Sequence, residues 1–105
     1  MKNVSNHAVL RYYQRFLNRD DLQTNDDLYN YSRDFNNKKE ININKTKILR
    51  YGEDSILIDI TNNGLKVYYN KSEDMIFIVD NNVIVSVYKA DGISYDKDLI
   101  NIIYV

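Results

Sequence analysis

His7, Arg11 and Arg15 recur at four-residue steps near the start of the chain, with no acid between them. Four residues is close to one helical turn, so the three side chains share a face of any helix formed there. Gln14 and Asn18 fall in the same arc of about 100°. Far along the chain, Val83–Lys89 alternates, with Val83, Val85 and Val87 on one side and Ile84, Ser86 and Tyr88 on the other. In residues 65–70, Leu65, Val67 and Tyr69 likewise oppose Lys66, Tyr68 and Asn70. If the all-apolar sides cover helices, the open sheet face carries Lys66, Tyr68, Ser86 and Tyr88. Rings stack on bases while cations meet phosphates, so such a face suits a nucleic-acid strand.

These side chains need elements to hold them. Residues 5–18 predict an amphipathic helix, capped by Ser5 or Asn6. Its core side is Val9, Leu10, Tyr13, Phe16 and Leu17. Tyr12 and Tyr13 read as packing residues rather than ligand contacts. A second helix is expected over 24–36, where Thr24 and Asp27 have capping-box spacing and Leu28, Tyr31 and Phe35 form the apolar side. Residues 36–40 read as a loop. From Ile41 the period changes to two: Ile41, Ile43 and Ile48 begin it, and segments 55–60, 65–70, 74–80 and 83–89 follow at hairpin spacing. Asn62-Asn63-Gly64 and Asn81-Asn82 tolerate the positive φ that tight hairpin turns demand. Asp91-Gly92 closes the run, and residues 99–105 form a last apolar strand or short helix. The expected architecture is α+β: two N-terminal helices on one face of a four- to five-stranded antiparallel sheet, within one domain spanning residues 1–105.

Composition excludes several classes. The 105 residues hold no cysteine, which removes disulfide scaffolds, zinc fingers and cysteine nucleophiles. No basic start leads into an apolar run, and no stretch approaches the ~20 apolar residues of a membrane helix, so a cytoplasmic protein is expected. Proline is absent, and the heavy use of Asn, Ile, Tyr, Asp and Lys matches an AT-rich genome, bacterial or phage. Net charge is −1, but residues 1–50 hold ten Lys/Arg against six Asp/Glu and residues 51–105 hold four against nine. Such segregation can mark an anion-facing surface. Asp20-Asp21, Asp26-Asp27 and Glu53-Asp54 read as loops or helix starts, and the acidic run 91–98 lacks metal-loop spacing. No dedicated metal site and no cofactor are expected.

The opening Val4-Ser-Asn-His7-Ala-Val-Leu-Arg11-Tyr-Tyr-Gln-Arg15 resembles the "S-x-H-A-x-x-R-x-x-x-R" helix of small RelE-like toxin-type domains. These belong to the barnase–EndoU–colicin–RelE ribonuclease superfamily. Val83-Ile-Val-Ser86-Val-Tyr88-Lys89 resembles that group's final strand, which often reads hydrophobic–Thr–Val–Tyr. The resemblance implies helices followed by an antiparallel sheet, and metal-independent RNA cleavage through attack by the 2′-hydroxyl. His7 would then be the acid or base, since its ordinary pKa lies near neutrality. Arg11 and Arg15 would grip the phosphate. Tyr88 and Tyr68 would stack a base or donate a hydrogen bond, and Ser86 would stand where the family has threonine. Lys66 and Lys89 complete the phosphate-binding set, and RNA or an antitoxin would be the partner.

Plainer readings accompany each residue. A lone histidine in a first helical turn is commonly a solvated side chain, and arginines at i and i+4 commonly a solvated face. Ser86 has an ordinary strand reading. The competing class is a non-enzymatic, phage-encoded inhibitor that binds a host defence protein. Net charge of −1 favours it, since ribosome-dependent toxins of this fold are usually basic. Residues 99–105 offer an edge strand to a homodimer or partner.

Overall fold

A computed structural model describes residues 1–91. The chain begins with a two-residue strand, β1 (Asn3–Val4), and three helices follow: α1 (Asn6–Phe16), α2 (Asn25–Tyr31) and α3 (Phe35–Glu53). Four strands complete the described part: β2 (Ile56–Ile60), β3 (Lys66–Asn70), β4 (Met75–Asp80) and β5 (Val83–Lys89). They form one five-stranded sheet in the order β1-β5-β4-β3-β2. β2 to β5 make an antiparallel meander, while β1 lies parallel to β5, pairing Asn3 with Val83 and Val4 with Ile84. The architecture is α+β as expected, with one more helix and a mixed sheet. β1 is too short to show as a periodic segment in the sequence.

Local chemistry explains most boundaries. Ser5 caps α1, its hydroxyl accepting from the Ala8 N–H at 3.1 Å. Thr24 and Asp27 form the expected capping box at the start of α2. Gly64 at φ 81° turns the chain between β2 and β3, and Asn81 and Asn82, at φ 49° and 67°, make the tight β4–β5 turn. The expected strand or short helix at 99–105, and the homodimer edge proposed for it, lie outside the described residues.

The largest correction concerns residues 36–48. They were expected as a loop and the first strand; they belong to α3 instead. Asp34 caps this helix, its carboxylate accepting from the N–H groups of Asn36 and Asn37 at 2.9 and 3.1 Å. Ile41, Ile48 and Gly52 are its buried residues, at helical spacing of seven and eleven. Ile43 supplied the apparent alternation but points to solvent, 60% exposed. The expected single helix over 24–36 is therefore two helices broken at Ser32–Asp34, which leaves Phe35 exposed rather than in the core.

One side of the sheet carries the helices. Val9, Leu10 and Tyr13 of α1 and Ile41 and Ile48 of α3 pack with Phe77, Val79, Ile84 and Val87. α3 comes closest at Gly52, where a Cβ would stand 2.8 Å from both Ile84 Cδ1 and Met1 Sδ. The other side is also apolar, with Leu65, Val67, Ile76, Ile78, Tyr88 and Ala90 buried together. β4 reads Met-Ile-Phe-Ile-Val, apolar on both sides, and such strands are buried on both sides.

Candidate nucleic-acid interface

α1 runs along the edge of β5 beyond the two residues that β1 covers. The Ser5 N–H donates to the Ile84 carbonyl at 2.9 Å, and Arg15 Nη1 donates to the Val87 carbonyl at 2.8 Å. These two contacts, ten residues apart on α1, pin its polar face to the sheet edge. His7, Arg11 and Arg15 follow that face in order. Arg11 is tied to its neighbours: Nε donates to His7 Nε2 at 3.3 Å and Nη1 to Gln14 Oε1 at 2.8 Å. Gln14 in turn donates to the Leu22 carbonyl at 2.7 Å, which holds the row against the loop leading to α2.

At the far end the row meets β5. The Arg15 guanidinium lies 4.1 Å from the centroid of the Tyr88 ring, and Lys89 Nζ lies 5.7 Å from that of Phe16. Arg15, Tyr88, Lys89 and Asp91 line an open depression there. Five of the side chains singled out in the sequence thus come to one edge: His7, Arg11, Arg15, Tyr88 and Lys89. Phe16 and Asp91 join them and were not singled out. Phe16 reads as a core residue in the sequence because it shares the apolar side of α1, and Asp91 as part of the turn that follows β5.

The expected sheet face does not form. Lys66 pairs with Val79 and Tyr68 with Phe77, and directly opposed residues share a face, so both stand on the helix side. Tyr88 pairs with Ile76 and packs on the opposite side. The cause lies in β3, whose apolar residues Leu65 and Val67 pack in the second core, away from the helices, and so turn Lys66 and Tyr68 toward them. A separate irregularity is a bulge: Ile78 pairs with Ser86 but Val79 with Ile84, so Val85 is extra and the alternation of β5 changes phase. Ile84 and Val87, expected on opposite sides, share the helix-facing core. Lys66 and Tyr68 are separated from the α1–β5 edge by β4 and take no part in the row.

Ser86 is 1% exposed, and its hydroxyl has no hydrogen-bond partner among the described residues. A buried hydroxyl without a partner costs about 1–3 kcal/mol of desolvation. Ser86→Ala is therefore expected to raise stability by about 1 kcal/mol, read by chemical denaturation. A loss of stability would contradict the hydroxyl's lack of a partner.

Electrostatics distinguish His7 from its neighbours. Partial burial, then the guanidinium of Arg11, then that of Arg15, hold its pKa below the ordinary 6.5. The imidazole is mainly neutral at pH 7, and Nε2 accepts from Arg11, so the ring proton is assigned to Nδ1. Unfolded, the group binds a proton from about its ordinary pKa downward, whereas the folded protein resists it. Stability linked to His7 is thus present above 6.5 and is lost as pH falls from there toward the lowered folded value. The melting temperature should fall across that window, and His7→Gln should remove part of the fall. Identical profiles for the two proteins would contradict the assignment.

Among the described residues, no three His, Asp or Glu side chains gather as a metal site, and no helix is long and apolar enough to cross a membrane. Comparison with protein-family models, curated proteins and solved structures returned no match.

Proposed function

We propose that this chain is an RNA-binding domain of the RelE-like type, which holds the backbone of a single strand along the α1–β5 edge. The observation that supports it most is the row itself: His7, Arg11, Arg15 and Lys89 follow one edge, and Asp91 is the one carboxylate among the described residues that line its far depression. Arg15 spends one donor on Val87 and keeps others for a phosphate, since a guanidinium has five. Lys89 supplies a second charge beside it. Phe16, half-buried under Lys89, offers a ring at the same end.

The place of His7 in the row, with Nε2 accepting from Arg11, favours a cleaving member of that type over a purely binding one. A neutral imidazole at pH 7 can take the 2′ proton as that oxygen bonds to phosphorus and the P–O5′ bond breaks, with water protonating the departing 5′ oxygen; Arg11 can leave its nitrogen for the charge that builds on the phosphate. No metal is called for in this step.

Fluorescence anisotropy with a labelled single-stranded RNA of about a dozen nucleotides tests the binding. Saturable binding at low salt is expected; none at micromolar protein would overturn the proposal. The same mixture in EDTA reports cleavage, with 2′,3′-cyclic phosphate ends expected from the wild type and lost in His7→Ala. Binding without any cleavage would leave an RNA-binding protein and remove the base role of His7.

A further inference from the structure

A second polar recess lies at the other side of the α1 N-terminus, where α1, α2 and α3 meet. It is a cavity of about 150 Å³. That is room for roughly five water molecules, the scale of one flat ring system. Its apolar floor is Leu28 and Ile41, both nearly fully buried. Tyr29 stands at its rim, 67% exposed, a large ring with no apolar cover. The amides of Asn25 and Asn42 line it and make no hydrogen bond among the described residues.

Charge among the described residues that line this recess is of one sign: Lys38 and Lys45 line it, and none of them is Asp or Glu. The two lysines are seven residues apart on α3, about 10 Å along the helix axis, and so bracket the floor from both ends. Lys45 Nζ lies 3.4 Å from Asn6 Oδ1, which seats that ammonium beside the first residue of α1.

We propose that this recess is a nucleotide subsite, taking one nucleobase between Tyr29 and the Leu28–Ile41 floor with its phosphate on Lys38 or Lys45. Each part has a matching group. A ring and an apolar floor accept the two faces of a base, and amides with free donors and acceptors read its edge. Either ammonium, with no carboxylate among the described lining residues to compete, accepts an anion. Asn6 in the recess and His7 in the basic row are chain neighbours, so a strand lying along the row can reach the recess by continuing past the α1 N-terminus. The subsite extends the RNA reading but does not depend on it, because it uses neither Arg11, Arg15 nor Lys89. The nucleotide can come free or as one unit of a strand.

Amide NMR titration separates these sources. The protein is titrated with AMP, GMP, CMP and UMP, with inorganic phosphate, and with single-stranded hexaribonucleotides. Saturable shifts at Tyr29 and Asn42 with at least one monophosphate are expected for a free nucleotide. Shifts with a hexamer alone would assign the subsite to a strand. In either case Lys38→Glu with Lys45→Glu should raise the Kd about tenfold or more, the loss of at least one charge-assisted contact. Tyr29→Ala should weaken nucleotide but not phosphate. Lys66→Ala should leave mononucleotide binding within about twofold, since Lys66 lines neither the recess nor the basic row. No saturable shift with any nucleotide would overturn the proposal, as would equal binding of inorganic phosphate. Mononucleotide binding in a protein that fails to bind RNA would overturn the interface reading and leave this one standing.

Discussion

Arg15→Ala is expected to weaken single-stranded RNA binding by about ten- to a hundredfold, the range for one hydrogen-bonded charged contact of roughly 1.5–3 kcal/mol. No other cation of the row is held as firmly. Its Nη1 is anchored on the Val87 carbonyl at 2.8 Å, and its plane covers Tyr88 at 4.1 Å. An arginine fixed in this way has already given up much of its side-chain freedom, so little more is lost when a phosphate binds. Arg15→Lys separates charge from shape. It restores the charge but not the planar fork or the stacking, and should recover only part of the affinity. Arg11→Ala should cost less, because Arg11 is held only by His7 and Gln14, both on its own helix. Equal affinity of Arg15→Ala and wild type would remove the far end of the row from the interface.

Asn70→Ala is expected to destabilise the fold by about 3 kcal/mol, lowering the melting temperature by roughly 10–20 °C in a domain of this size. Asn70 is buried at the end of β3, and its side-chain amide makes three hydrogen bonds there. Nδ2 donates to the Tyr51 carbonyl at 2.9 Å, while Oδ1 accepts from Ser72 Oγ at 2.9 Å and from the Glu73 N–H at 3.0 Å. One side chain therefore satisfies the last turn of α3 and shapes the β3–β4 turn. Alanine would leave the Tyr51 carbonyl and the Glu73 N–H without these partners. Asn70→Asp should be worse still, since it cannot donate to Tyr51 and would bury a charge. Calorimetry checks both; a shift of under about 4 °C for Asn70→Ala, less than roughly 1 kcal/mol, would mean that water replaces these bonds at no cost.

The four strands of the meander were legible because their turns are written in residues of special backbone character. Asn81 and Asn82, and Gly64 in the turn before β3, adopt positive φ where expected, and β5 has the expected ends. The α1 face was legible for a related reason, since its period of 3.6 survives intact over eleven residues. α3 was not. Ile41 and Ile43 imitate a strand, the run of Asn and Lys imitates a loop, and burial of Ile41 and Ile48 follows from tertiary packing that period alone does not express.

The candidate site was half legible. The basic row could be read from helix spacing, and Tyr88 and Lys89 join it because β5 ends beside Arg15. Its supposed partners on the sheet could not. Placing Lys66 and Tyr68 with Ser86 and Tyr88 assumes that the Leu65 and Val67 side of β3 covers the helices, but that side packs in a second core. Nothing in the alternation announces this, because the sheet is apolar on both sides and either core could take Leu65 and Val67. The nucleotide recess was missed for another reason: Lys38 was read in a loop and Ile41 in a strand, so no spacing could relate them.

The salt dependence of RNA affinity tests the central claim most directly. Each phosphate contact contributes about 0.7 to the slope of log Kd against log salt for a single strand. Wild type is compared with Arg11→Ala/Arg15→Ala, with circular dichroism confirming that both are folded. The account predicts a slope smaller by about 1.4 in the double variant, together with weaker binding at every salt concentration. Parallel lines of equal slope would contradict it, because the two arginines would then meet no phosphate.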